Sequence, residues 1–405
     1  MQDIHSVTRD ELRSELAAWG EPAYRADQIL NWLYRHRVSD WSLMTNLPRA
    51  LRERLCKRFS LHTVECIRVA EAADQTCKFL WRLTDGALIE SVLIPANPAL
   101  YGEPSDRYTL CLSTQVGCVY GCRFCASGLD GWKRNLQSHE IVEQVLAVER
   151  WHQRLTASSA AASRRQDRLV DNLVVMGMGE PLANYDNLMR ALRILNAPWG
   201  GGIGARRITV STSGLVPGIR KLAEEPEQFR LAISLHGATD EVRSYLMPIN
   251  RKYPLGELVA ALEYYLQRKG RMLTLEYILI AGINDGLDQV PLLAALARRL
   301  HAKVNLIPYN PVEGLAWRRP DPAACELFLQ RLQASGVTAT LRREKGVEIE
   351  AACGQLRLRT MRALEAAASQ AGFAAPPVSP INSNGARAPV PYPTLPSDND
   401  LAHPA

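Results

Sequence analysis

The chain has no long hydrophobic run. No stretch approaches the roughly 20 apolar residues that a membrane helix needs, and Met1 to Asp10 is polar, without the apolar segment of a secretory signal. Both absences lead to the expectation of a cytoplasmic protein with no membrane span. An even cysteine count is also missing. The nine cysteines are Cys56, Cys66, Cys77, Cys111, Cys118, Cys122, Cys125, Cys325 and Cys353. An odd number in a chain of 405 residues argues for reduced thiols rather than a disulfide scaffold. Strong charge of one sign is absent too: 48 Lys and Arg against 42 Asp and Glu give +6, a mild excess that suits a polyanionic partner better than an acidic one. Apolar content is plentiful at 47%, enough for one large domain with accessory pieces.

Three of the thiols are concentrated in Cys118-Val119-Tyr120-Gly121-Cys122-Arg123-Phe124-Cys125, spaced C-x3-C-x2-C. A short loop of this kind can wrap one metal centre from one side. A zinc knuckle is the plainer reading of a C-x2-C pair, but such pairs come in twos. The chain holds no second pair and no H-x3-5-H partner. Three thiolates cannot complete a four-thiolate iron-sulfur cluster. One iron stays open, and there a cofactor can bind and react. The spacing therefore predicts a [4Fe–4S] cluster on Cys118, Cys122 and Cys125.

Residues 8–58 read as small helices with apolar stripes from Leu12, Leu16, Ile29, Leu30, Leu33, Leu51 and Leu55. Thr8-Arg9-Asp10-Glu11 has the form of a capping box. Between Arg25 and Arg58 stand eight Lys/Arg against three Asp/Glu, either a solvated face or a platform for RNA phosphates. Residues 76–94 read as a β-hairpin turning at Asp85-Gly86. On pattern alone Glu90, in the second arm, faces solvent. From Tyr108 strands and helices alternate. Strands are expected at 108–113, 172–176, 207–211, 230–234, 272–279, 303–308 and 337–342. Helices are expected near 138–152, 186–196, 214–224, 254–269, 286–300 and 321–334. This alternation predicts an α/β fold, a parallel barrel-like sheet with helices outside and the chemistry at the C-terminal strand ends. Residues 153–169 look like a low-complexity surface insertion. Residues 376–405 carry eight of the 24 prolines and are expected to be disordered.

Several polar residues fall at those strand ends. Gly177-Met178-Gly179-Glu180-Pro181 follows the second strand, Ser211 ends the third, Ser234-Leu235-His236 ends the fourth and Asn310 follows the sixth. Each alone reads as a cap or turn residue; four at successive strand ends suggest one site. Glycines let a backbone approach a ligand closely, and Glu180 offers a carboxylate to an ammonium group. Cys111 lies seven residues before the cysteine loop and Cys353 after the last strand. Taken alone, each reads as a buried structural thiol.

The C-x3-C-x2-C loop resembles that of the radical S-adenosylmethionine (SAM) superfamily. Cys111-Leu-Ser-Thr-Gln-Val-Gly-Cys118, Gly-Met-Gly-Glu-Pro, Ser-Thr-Ser-Gly, Ser-Leu-His, Asn310-Pro311 and Ala-Ala-Cys-Gly-Gln-Leu together resemble the RlmN/Cfr family of radical SAM RNA adenine methyltransferases, over residues 8 to 360. The resemblance implies a partial (βα)6-type radical SAM barrel over 108–360, a small helical N-terminal RNA-recognition domain over 1–60 and a β-hairpin extension over 61–107 that carries Glu90. A C-terminal helix end at 361–375 and the Pro-rich tail at 376–405 complete the division.

Site roles follow from the same resemblance. Gly179, Glu180, Ser211, Ser234, Leu235, His236 and Asn310 match SAM-contacting positions, with Glu180 at the amino group. Cys353 is similar to the cysteine that one SAM methylates before a second SAM yields a 5′-deoxyadenosyl radical, so two are consumed per turnover. Glu90 matches the base that removes the C2 proton, and Cys111 the thiol that resolves the adduct through a transient disulfide. The implied partners are 23S rRNA, tRNA and an electron donor such as flavodoxin with its reductase, and the implied state is a monomer. Methylation at adenine C8, as in the Cfr branch, stays open. So do two more distant readings. A glycyl-radical activase would need neither Cys111 nor Cys353, and a zinc-bearing RNA-binding protein would hold no acid-labile sulfide.

Overall fold

The computed structural model describes residues 1–96, 107–129, 131–157, 168–312 and 314–342. Strands are numbered in chain order: β1 Gln2–Asp3, β2 Phe59–Ser60, β3 Glu65–Glu71, β4 Cys77–Arg82, β5 Leu88–Pro95, β6 Tyr108–Cys111, β7 Gln115–Val116, β8 Arg134–Asn135, β9 Val170–Val175, β10 Ile208–Thr212, β11 Arg230–Ser234, β12 Thr274–Leu279, β13 Lys303–Pro308 and β14 Ala339–Leu341. Ten of them form one sheet in the order β14-β13-β12-β11-β10-β9-β6-β5-β4-β3. From β6 to β14 neighbours are parallel, while β5, β4 and β3 add an antiparallel meander. The expected hairpin is thus the middle of a longer feature, because Glu65–Glu71 pairs with its first arm.

The parallel strands alternate rather than reading as continuous apolar runs. Leu173 and Val175, Val210, Leu231 and Ile233, Leu275, Tyr277 and Leu279, and Val304 and Leu306 are buried in the main core. The residues between them are mostly polar. Parallel strands buried on both faces read as near-continuous apolar runs. Alternation therefore marks a sheet with helices on one face and a polar lumen on the other. Register puts Cys111, Val174, Thr209, Ser211, Ala232, Ser234, Glu276 and Asn305 on that second face. The outer face is covered by the helices Ser138–Ala157, Tyr185–Asn196, Val216–Glu224, Leu255–Lys269, Gln289–Arg299 and Pro322–Ala334.

The N-terminal helices are Arg9–Ala18, Tyr24–Asn31 and Arg49–Arg58. Thr8 and Glu11 form the capping box: the Glu11 N–H donates to Thr8 Oγ1 at 3.3 Å, and the Thr8 N–H donates to Glu11 Oε2 at 2.8 Å. Leu12, Leu16, Ile29, Leu33 and Leu51 share one core with Ile141, Val145 and Val148 of helix Ser138–Ala157. A buried ion pair, Arg37 to Glu149 at 3.3 Å, crosses the same seam, and Glu149 accepts the N–H groups of Leu169 and Val170. Arg37 is therefore a structural residue, not part of an exposed basic face.

Helix Ser138–Ala157 runs into the segment read as an insertion; 158–167, the C-terminal helix end and the Pro-rich tail lie outside the described residues. Helix Asp240–Leu246, capped by Thr239, was not expected from the sequence. Among the described residues no helix is long and apolar enough to cross a membrane.

Candidate active site

The cysteine loop leaves β6 through the short pair β7–β8. Gly117, at φ +76°, makes this possible: a Cβ there would stand 1.8 Å from the Gly131 carbonyl oxygen. The loop then crosses the strand ends, where the Arg123 N–H donates to Leu246 O at 3.0 Å. Phe124 packs edge-on against His236, ring centres 4.9 Å apart. Tyr120, Cys122 and Phe124 border a second apolar cluster built on Met247, Ile249, Ile280 and Tyr309.

Burial pushes the Cys118 thiol up to about 12 and the Cys122 thiol well above its ordinary value, and charge on Cys125 pushes both further. Thiols so placed stay protonated at neutral pH unless a cation takes the proton's place. Three of them in a half-buried loop with an apolar border suit a thiolate-ligated cluster.

Gly179 and Glu180 come next to the loop by a route the sequence did not disclose. A Cβ on Gly177 would lie 2.5 Å from Leu112 O, and one on Gly179 (φ +102°) 2.5 Å from Gln115 Cβ. These glycines admit close packing on the segment leading into the cysteine loop; ligand approach is not what requires them. Gln115 is the joint: its Oε1 accepts the N–H groups of Glu180 at 2.9 Å and Val119 at 3.3 Å, and its Nε2 donates to Asn135 Oδ1 at 2.8 Å.

The Glu180 carboxylate is buried and accepts four hydrogen bonds: Thr212 Oγ1 at 2.7 Å, Leu182 N at 3.1 Å, and the backbone N and Oγ of Ser213, both at 2.7 Å. Burial raises its pKa, and the Ser213, Thr212 and Leu182 donors oppose that rise. Ser213 in turn offers its carbonyl to Arg243 Nη2 at 2.5 Å. Arg243 is 1% exposed. Its guanidinium lies within electrostatic reach of Cys122, and burial draws its pKa down to about 10.

Ser211 is buried and Ser234 half-buried on the lumen face. Leu235 is buried, and its N–H donates to Glu276 O at 2.9 Å. His236 takes a left-handed φ of +57°. Its Nδ1 accepts the Ile278 N–H at 3.1 Å, and burial, with Arg243 adding, pushes its pKa down to about 3. The ring is neutral, so Nε2 carries the proton and is a donor. Asn310 is half-buried, two residues after the end of β13.

Glu90 corrects the pattern-based reading. It is 2% exposed and pairs with Lys78, itself fully buried, Nζ to Oε2 3.1 Å. Cys111 pairs in register with Val92, so Lys78, Glu90 and Cys111 share one face. Burial pushes the Cys111 thiol up to about 11, against the opposing charges of Arg342 and Lys78. Cys353 lies outside the described residues. Residues that sequence reasoning missed are Lys78, Gln115, Ser213, Arg243 and Glu276. The last is buried, and its Oε2 accepts from Asn305 Nδ2 at 2.8 Å. Gln115 and Ser213 lie inside the fragments Cys111–Cys118 and Ser-Thr-Ser-Gly that carry the resemblance, while Lys78, Arg243 and Glu276 sit in none; strand register and helix packing bring them to the site.

Residues 112–290 match the model of the radical SAM superfamily, and residues 2–61 that of the ribosomal RNA large subunit methyltransferase N-terminal domain. A probable dual-specificity RNA methyltransferase RlmN 3 from Opitutus terrae is 55% identical over 355 residues, 87% of this chain and 93% of that protein. The chain belongs to the RlmN family of radical SAM methyltransferases. A second member, from Akkermansia muciniphila, is 50% identical over 356 residues, 88% of this chain and 95% of its own. The crystal structure of a radical SAM methyltransferase from Sphaerobacter thermophilus superposes with a TM-score of 0.79 at 45% identity, covering 88% of this chain and 99% of that one. Membership makes the protein an enzyme that uses SAM and a [4Fe–4S] cluster, and the cysteine loop fits that cluster.

Proposed function

We propose that this enzyme methylates C2 of one adenine in the peptidyl-transferase region of 23S rRNA and of the adenine 3′ of the tRNA anticodon. The relatives' printed names support RNA and dual specificity, and their RlmN branch favours C2 over C8. The observation that carries the reading is the shared face of Glu90, Lys78 and Cys111, with Cys111 on the strand that leads into the cysteine loop. A base and a thiol in that position serve a reaction that removes a proton from the substrate and then frees it from the protein.

Cys118, Cys122 and Cys125 would hold the cluster, and Gly179, Glu180, Ser211, Ser234, Leu235, His236 and Asn310 the SAM. Cluster and SAM, when bound, supply one-electron chemistry, which an electron-poor carbon such as adenine C2 requires because it is no nucleophile. Cys353 accepts the methyl group on sulfur and presents it to the base. Glu90 takes the C2 proton, a role its buried position keeps from bulk water. Cys111 attacks the sulfur of Cys353, a disulfide forms and the methylated RNA leaves. That disulfide is catalytic and transient, so it suits a reducing compartment. The adenine must leave its stack to reach the lumen. An electron donor of the flavodoxin kind re-reduces the centre, and the enzyme acts as a monomer. Mass spectrometry of adenosines from cells lacking and regaining the protein tests the reading: 2-methyladenosine should vanish and return, and an unchanged level would refute it.

Two further outcomes are expected. Cys122→Ala, reconstituted anaerobically, should lack the cluster's visible absorption; a full four-iron complement would overturn the ligand assignment. The N-terminal helices are proposed to add RNA affinity rather than chemistry. On helix Arg49–Arg58, Arg49 pairs with Glu53, Arg52 reaches Ser42 O and Arg54 lies over the Trp19 ring. Reversing Arg49, Arg52 and Arg54 to Glu should weaken RNA binding and flatten its salt dependence, while SAM still methylates Cys353. An unchanged salt slope would place the platform elsewhere.

A further inference from the structure

Imidazoles and carboxylates also gather outside the residues assigned to the active site, where the N-terminal unit meets helix Ser138–Ala157. β1 and β2 run parallel there, with Asp3 opposite Ser60. His62 follows β2 by two residues, and His139 lies in the first turn of the helix. His62 and His139 each bring one ring nitrogen, and Asp3 one carboxylate oxygen, to within 4.8 Å of one another. The two rings stand 6.1 Å apart, centre to centre. Asp3 is buried, His139 half-buried and His62 exposed, so the group opens to solvent on the histidine side.

A cavity of about 10 Å³ adjoins the group, with His62, His139, Glu140 and Glu143 in its lining. It has room for an ion or a water and for nothing the size of a substrate. His5 is fully buried beside it. Its Nδ1 lies 3.6 Å from Asp3 Oδ1 and 3.2 Å from Glu143 Oε1, yet neither ring nitrogen makes a hydrogen bond. Burial holds its pKa below the ordinary histidine value, so this ring is neutral and brings Asp3 no charge. Arg150 pairs with Glu143 at 2.6 Å, but among the described residues no Lys or Arg pairs with Asp3. A buried carboxylate needs a charge partner or a metal.

Asp3 already accepts several donors. Its Oδ1 takes the His5 N–H at 2.9 Å, and its Oδ2 takes the His62 N–H at 2.9 Å and the Ser60 hydroxyl at 3.2 Å. Oδ2 also stands 3.0 Å from His62 Nδ1. An ion between those two atoms replaces the proton they share, so the carboxylate gains no extra partner. An oxygen and a nitrogen at that separation can both reach one zinc ion at about 2.0–2.1 Å.

We propose that Asp3, His62 and His139 bind a divalent transition-metal ion, zinc by preference, which clips the N-terminal unit to the first barrel helix. Two imidazoles with one carboxylate suit zinc; magnesium and calcium take oxygen ligands. Water fills the remaining position. The cavity leaves no space for a substrate, so the ion is structural. Both ends of the N-terminal unit and the start of the helix meet at it, which fixes the N-terminal helices against the barrel. The inference stands apart from the cluster, SAM and RNA assignments above.

The test is zinc titration of the full-length enzyme with its cluster reconstituted anaerobically, read by X-ray absorption at the zinc edge and by thermal melting. One equivalent of zinc should show nitrogen and oxygen neighbours at about 2.0–2.1 Å with imidazole scattering. It should also raise the melting temperature by a few degrees, as a ligand of the folded state does. His62→Ala combined with His139→Ala should lose roughly a hundredfold or more in zinc affinity against a competing chelator, since even an outer partner of a ligand is worth 10–100-fold. His139→Ala alone supplies the comparison if the double variant melts early without zinc. Iron content and visible absorption confirm that each protein keeps its cluster. A sulfur shell near ~2.3 Å would put the zinc on the cysteine loop and overturn the proposal. Equal zinc affinity in parent and variants, or a parent melting temperature that zinc leaves unchanged, would overturn it as well.

Discussion

Cys111→Ala is expected to arrest the enzyme as a covalent protein–RNA adduct. The variant should keep its cluster, cleave SAM and join Cys353 to adenine C2 through a methylene bridge. Release should then stop, because it needs a thiolate to attack the sulfur of Cys353 and take over that bond. A shifted band on a denaturing gel, collapsing on RNase treatment, is the expected readout. Cys353→Ala alone, or combined with Cys111→Ala, should give no band. The native thiol adds a pH signature. With the Cys111 pKa pushed up to about 11 by burial, thiolate is scarce at neutral pH, and its fraction grows about tenfold per pH unit. Adduct resolution in the unmodified enzyme should accelerate as pH rises from 7 to 9. Wild-type turnover by Cys111→Ala, with no adduct, would refute the two-cysteine mechanism while leaving the cluster assignment intact.

Lys78→Met is expected to destabilise the fold severely. Lys78 and Glu90 are both buried, and their charged atoms stand 3.1 Å apart. Removing one member of a buried pair leaves the other charge desolvated, at a cost of roughly 3–5 kcal/mol. The melting temperature should fall by roughly 5 °C or more. Lys78→Met combined with Glu90→Gln should recover much of that loss, since no net charge is then buried, yet remain unable to complete methyl transfer. Calorimetry and a single-turnover assay separate the two effects. A single variant as stable as the parent would show that the pair contributes little, and a double variant with full activity would remove Glu90 from the chemistry.

These two expectations differ in origin. Cys111 and Cys353 stand in motif fragments that carry the family resemblance, and the roles proposed for them come from that resemblance. The cysteine loop was legible because its three cysteines fall within eight residues, and spacing along a loop is local information. The alternation of strands and helices was legible for the same reason: period is a property of neighbouring residues. The Thr8–Glu11 capping box, the Asp85-Gly86 turn and the seven strands expected after residue 107 all lie where local pattern put them, and of the strands there only the short β7 and β8 were not expected.

Glu90 marks where that legibility ends. A carboxylate in an alternating strand reads as solvent-facing, because alternation tells only that two faces differ. Which face is covered depends on partners far along the chain, and here Lys78 and the lumen bury it. Gly177 and Gly179 make the same point: their motif was visible, but packing on Leu112 and Gln115 is the reason no side chain fits. The sequence by itself determined the strand–helix order, the spacing of the three loop cysteines and the family. Only the tertiary structure decided that Lys78 joins Glu90 and Cys111, that Gln115 ties the glycine turn to the cysteine loop, and that Arg243 reaches the same site from helix Asp240–Leu246. The reason is physical: hydrogen bonds and ion pairs act through space, and their cost or benefit depends on a burial that no local stretch of sequence encodes.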